Sequence, residues 1–300
     1  MKLRSKAFVS FVILAIIYAS VNLTAAPPRA TLQHYHISPA ALRLLDTTVI
    51  LPVLIIWFIG LYGYQKLQTY AAYVKGNKEG DQVALLSKGV TILAFWLPVS
   101  STLSTILNLL ALHNHRLLPI NAIITNYLSL LFPLAAFIYF SRGSRQLSEL
   151  TKRRPSPASI HMLVILLSTA GVTFGYLVAR SQDKLYSIYH MPLLVVLATL
   201  VIPYIFSWYL GLIAVSDMHL YTRWLKGVIY KRSWNALSFG LVWIVIFSIG
   251  LQYVTAVSAQ LANLSLGWTL LLIYTILPVL AIGYIFVALG AKRLTKIEEV

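Results

Sequence analysis

The chain reads as an all-α, polytopic membrane protein: eight transmembrane helices arranged as two parallel four-helix repeats. Three observations lead there. Hydrophobic residues fill 59% of the 300 positions, while Asp, Glu, Lys and Arg fill 11%, against about 25% charged in a typical soluble domain. The apolar residues gather in runs close to the ~20 residues a helix needs to cross a bilayer. They do not alternate with period two, as membrane β-strands would. Finally, the second half of the chain echoes the first.

The spans fall at about 7–26, 47–66, 87–112, 119–141, 159–180, 191–216, 236–258 and 266–290. The first starts with Lys2, Arg4 and Lys6 and ends in "NLTAAPP", a pattern shared with signal peptides. Retention is expected, because Pro27 directly after the small residues disfavours processing and removal would spoil the first unit of four. The second and sixth spans run into two similar elbows, "YAAYVKG" (70–76) and "YTRWLKG" (221–227). Aromatics at their first and fourth positions, then Lys-Gly, predict a short helix lying in the interface, with both rings at headgroup depth and the lysine snorkelling to phosphate.

The third span reads "LPVSSTLSTILNLL". Pro98 lacks an N–H and frees a carbonyl. Beyond it Ser101, Ser104, Thr105 and Asn108 share one helix face. The seventh span carries Ser248, Gln252, Thr255 and Ser258 along one side. Ser101, Ser104, Asn108, Gln252 and Thr255 are the candidate lining of a path; the alternative is that they bond neighbouring helices together. The fourth and eighth spans resemble each other through "FPLAAFIYF" (132–140) and "LPVLAIGYIF" (277–286). In the fifth, Gly171, Gly175 and Ala179 at four-residue spacing favour close helix approach, and His161 at its inner end suits a cap or a headgroup contact.

Sliding the chain by 151 residues makes the echo explicit. Between 52–108 and 203–259, ten positions match without a gap, including Pro52/Pro203, Trp57/Trp208, Gly60/Gly211, Tyr70/Tyr221, Lys75/Lys226, Gly76/Gly227 and Gly89/Gly240. The units are 1–150 and 151–300. Four spans per unit is an even number, so both run the same way through the membrane about an axis along its normal.

Lysine and arginine decide orientation. With the N-terminus inside, nineteen fall in inner segments and five in outer ones, which predicts a multi-pass cell-membrane protein with both termini cytoplasmic. The net charge of +16 then points to anionic headgroups as a partner rather than nucleic acid. A protein partner or a homo-oligomer stays open.

Chemistry is sparse. The chain has no cysteine, so thiol catalysis and disulfides are excluded. Glu79, Asp81, Glu149, Asp217, Glu298 and Glu299 are assigned to the cytoplasmic side, Asp46 and Asp183 to the outside, and no span centre holds an ionisable group. That argues against a midplane proton relay and leaves no carboxylate pair for acid–base catalysis, so an enzyme is not expected. Histidine is biased outward: His34 and His36 in "LQHYHISP", His113 and His115 in "ALHNHRLLP", and His190. In extended chain, residues two apart point the same way, whereas in a helix they diverge by about 200°. These five are the candidate metal set, for zinc or copper at the outer face; otherwise they are ordinary loop histidines. No other cofactor is expected. Three functions remain: a small-solute permease with its path between the repeats, a membrane scaffold or sensor with basic cytoplasmic loops, and an outer-face metal-binding protein.

Overall fold

The computed structural model describes residues 39–76, 78–113, 117–151, 202–258 and 266–298, with isolated helical residues between 9 and 20. The side chains of 39–49, 111–126 and 251–277, and a few others within the helices, are outside the description. Among the described residues 95% are helical and none is in a strand. Six long helices carry the fold: α1 Pro39–Tyr73, α2 Lys78–His113, α3 Leu117–Glu149, α4 Ile202–Trp224, α5 Val228–Ser258 and α6 Leu266–Glu298. The expected first and fifth spans lie outside the described residues, apart from isolated positions of the first, of which Ala15 packs on the core.

Among the described residues four stretches are long and apolar enough to cross a membrane: Ile50–Tyr73, Glu79–Ser100, Tyr230–Gly250 and Pro278–Ile297. All six helices outrun the apolar runs that predict them, mostly at one end. There the sequence turns amphipathic. Leu67 and Tyr70 on α1, Val83 and Leu86 on α2, Leu147 on α3, Trp234 and Leu237 on α5, and Leu294 on α6 are all fully buried. Most charged residues there, such as Lys75, Asp81, Lys88, Arg142, Arg145 and Arg232, take the outward faces, as helical periodicity allows.

The helices close into a ring. Each packs on its neighbours in the chain, α6 closes on α1, and α5 also touches α3 across the interior. Short turns make α1 and α2 antiparallel, and likewise α4 and α5. At the seams α3–α4 and α6–α1 the helices run parallel, since α1, α3, α4 and α6 all finish at the same end. We call it the elbow end, after the turns 74–76 and 225–227.

Both elbows are built alike. The Val74 N–H donates to the Tyr70 carbonyl at 3.1 Å and the Leu225 N–H to the Tyr221 carbonyl at 3.3 Å. Gly76 at φ 98° and Gly227 at φ 95° then reverse the chain, in the left-handed region where a side chain costs about 1 kcal/mol or more. No separate interfacial helix forms. The first aromatic of each elbow, Tyr70 and Tyr221, faces into the core, and only the fourth, Tyr73 and Trp224, is exposed. The expectation that both rings sit at headgroup depth therefore fails for the first of each pair. The reason is the helical register: residues three apart are about 300° round, so the wall of the ring falls between them.

Packing between neighbours depends on close approach. In lipid, helices gain little from the hydrophobic effect and hold together through van der Waals contact. A Cβ on Gly240 would sit 2.6 Å from the Gly283 carbonyl oxygen, and one on Gly290 2.8 Å from the Ser233 carbonyl oxygen, so α5 and α6 touch backbone to backbone. Gly143 brings α3 equally close to α2, at 3.0 Å from the Gln82 carbonyl oxygen.

Candidate functional site

The amphipathic elbow end also gathers the polar groups that the ring encloses. Glu79 lies in the first turn of α2, where the free N–H groups of a helix favour negative charge. Tyr230 occupies the matching turn of α5, 151 positions later, and the two meet: the Tyr230 hydroxyl donates to Glu79 Oε1. The Tyr70 hydroxyl, from the last turn of α1, donates to the same oxygen at 2.6 Å and lies 2.9 Å from the Tyr230 hydroxyl. Tyr221 of α4 stands beside both Glu79 and Tyr230. Burial first, and then the Glu79 charge and Tyr230, push its phenol above the usual range.

Neither α1 nor α2 borders α4 in the ring. A group that neighbours α1, α4 and α5 while belonging to α2 faces inward, and Glu79 does so at the elbow end, where it stays part-exposed. Trp234 forms the floor, fully buried, edge-on to Tyr221 at 4.9 Å and 81° and to Tyr70 at 6.4 Å and 76°. Among the described residues the one salt bridge is Arg145–Glu149 at 3.6 Å, on the outside. The Glu79 carboxylate is thus met by phenol hydroxyls rather than by a described cation. Further along the axis, Leu86, Phe140, Ala214 and Val245 line a cavity of about 10 Å³, the lower limit for one water.

Asp217 is the second acidic group to move inward. It lies in the α3–α4 seam, 4% exposed. Burial pushes its carboxyl up to about 6, opposed by a hydrogen bond from the Ser148 hydroxyl and by the Arg145 charge, while Glu149 adds to the rise. Sequence reading assigned Glu79 and Asp217 to the cytoplasmic side, beyond the spans; the structure puts both within helices, Asp217 buried on α4 and Glu79 part-buried in the first turn of α2. The available signal was amphipathic: Asp217 falls three and four residues from the small or aromatic Ala214 and Tyr221 on one face.

The expected path residues can be located only by helix. Ser101, Ser104 and Asn108 belong to α2, and Gln252 and Thr255 to α5; their side chains are outside the described set. One member of the seventh-span stripe is described: Ser248 is fully buried and donates to the Ile244 carbonyl at 2.7 Å. It is satisfied by its own helix and neither lines a path nor bonds a neighbour. His34, His36, His115 and His190 lie outside the described residues, and His113 is the last helical residue of α2 with an undescribed side chain. Among the described residues no three His, Asp or Glu side chains cluster as a metal site.

Compared with known proteins, the chain matches no family model, no curated protein and no solved structure. Its described residues are helical without strands, and four of their helices are long and apolar enough to cross a membrane.

Proposed function

We propose that the chain is a small-solute permease of the cell membrane, with its path along the axis of the ring, between halves 1–150 and 151–300. One observation carries the reading: four helices converge at the elbow end on the part-buried Glu79 carboxylate, which is met by phenol hydroxyls and by no described cation. Ionisable groups enclosed within membrane helices are costly and mark solute pathways. In this reading the elbow end is cytoplasmic and shut, with Tyr70, Tyr230 and Glu79 as the latch.

The placement of the path between two halves draws support from matched contacts. Gly60 approaches Ala94 and Tyr284; Gly211 approaches Val245 and Phe137. Gly89 packs on Ala136 and Phe140; Gly240 packs on Gly283 and Val287. Gly143 meets Gln82 and Leu86; Gly290 meets Ser233 and Leu237. Each second set follows from the first by exchanging the halves, which is how a duplicated unit packs about an internal axis. The exposed Tyr73 and Trp224, beside Lys75 and Lys226, suit contact with anionic headgroups at the elbow end.

The absence of native cysteine makes the test clean. In liposomes holding the full chain, single cysteines at Ser101 and Gln252 are expected to react with a water-soluble thiol reagent, and the reaction to block solute flux. Labelling without any effect on flux, or complete protection of both sites, favours the scaffold reading.

A further inference from the structure

The part-buried site at the elbow end carries a carboxylate, although the chain as a whole carries +16. The lysines nearest to it in sequence with described side chains, Lys75, Lys226 and Lys231, are exposed on the rim. Exposed charges are screened at physiological salt, while the part-buried Glu79 carboxylate is held among hydroxyls at the elbow end. The composition of the site is informative. Glu79 supplies one carboxylate, and Tyr70 and Tyr230 supply two neutral oxygens within 2.9 Å of each other. Tyr221 and Trp234 add aromatic rings.

We propose that this site selects monovalent cations, so that the solute class of the permease is a small alkali or ammonium-type cation. The inference rests on the permease reading and deepens it. Oxygen ligands replace the water shell of an entering cation, and aromatic faces attract it. An anion would meet an uncompensated carboxylate. A divalent ion such as calcium takes six to eight oxygens, generally with several carboxylates, and one carboxylate with two phenols falls short. In the closed state the two hydroxyl protons occupy the place of the cation on Oε1. Passage requires them to turn away and present their oxygens instead, so latch and selectivity share the same atoms.

The test uses the full-length protein in liposomes, with rubidium, methylammonium, nitrate and glycerol as probes. Wild type is expected to pass both cations at least about tenfold faster than nitrate, a difference of about 1.4 kcal/mol at the constriction. Glu79→Gln, nearly isosteric and uncharged, is expected to bring that ratio close to one. Should Glu79→Gln fail to fold, Tyr230→Phe keeps the carboxylate and removes one of the two hydroxyl oxygens; the cation preference should fall but stay above one. Flux of nitrate or glycerol without a cation preference overturns the selectivity and leaves the permease standing. A preference that survives Glu79→Gln at full size, or is unchanged in a folded Tyr230→Phe protein, also overturns it. No flux of any probe overturns the permease reading and the selectivity with it.

Discussion

The two seams where parallel helices meet, α6–α1 and α3–α4, share a backbone plan and differ in their side chains. In each, a glycine lets an aromatic ring lie against the helix: Gly60 faces Tyr284, and Gly211 faces Phe137. Six positions after each of these glycines the seams diverge in charge. On α4 stands Asp217, buried against Ser148 of α3. At the position 151 residues earlier stands Lys66, whose ammonium lies 5.6 Å over the exposed Tyr62 ring. The contrast is one of reach. A lysine has four methylenes and carries its charge out of a seam; an aspartate has one and cannot, so burial raises its pKa instead. The aromatic positions differ too: the Tyr284 hydroxyl is buried with no partner among the described residues, while Phe137 has no hydroxyl to satisfy.

The largest effect should come from breaking both seams in the same way. Gly60→Leu would put a Cβ 3.5 Å from the Tyr284 ring across the seam and 2.8 Å from the Ala94 Cβ on α2, and Gly211→Leu 3.2 Å from the Phe137 ring and 2.9 Å from the Val245 methyl on α5. Each is expected to cost about 3 kcal/mol, the upper range for overpacking, seen as a lower thermal midpoint in detergent. A seam that tolerates leucine while the other does not would end the likeness between them.

A smaller effect isolates the charge. The Asp217 carboxyl titrates near 3.8 when unfolded and near 6 when folded. The folded state therefore holds the proton more tightly, and stability is greatest below pH 3.8. It falls as pH rises toward about 6 and levels off above, where the full penalty is present. Asp217→Asn should remove this slope and raise stability above pH 6 by about 2 kcal/mol. Denaturation midpoints measured across pH 4 to 7 check it; an unchanged slope would mean that another group carries it. Lys66→Met in the other seam should leave the slope intact.

The smallest effect concerns the hydroxyl. Tyr284→Phe should be neutral or stabilise by up to about 1 kcal/mol, since it deletes an unpaired buried donor, whereas Phe137→Tyr should cost about 1–2 kcal/mol by adding one. Opposite signs in a paired melting experiment would establish that the seams differ in polarity. Equal signs would mean that the Tyr284 hydroxyl finds a partner.

Much of this was legible from residue order alone. Apolar runs marked where α1 to α6 lie, because a helix must present a continuous hydrocarbon surface to lipid. The elbow glycines marked the turns, because Gly76 and Gly227 occupy backbone conformations that other residues adopt only at a cost. Matched glycines 151 residues apart marked the close approaches, because nothing larger fits between two touching backbones. The rest needed the assembled ring. Glu79 and Asp217 follow or end apolar runs, and average hydropathy assigns such positions to solvent. Which side of an amphipathic helix faces inward is set by the neighbours it packs against, not by the helix itself. Only closure of six helices puts Tyr70, Tyr221 and Tyr230 around one carboxylate, since those residues come from three helices up to 160 positions apart, and their meeting is a property of the ring.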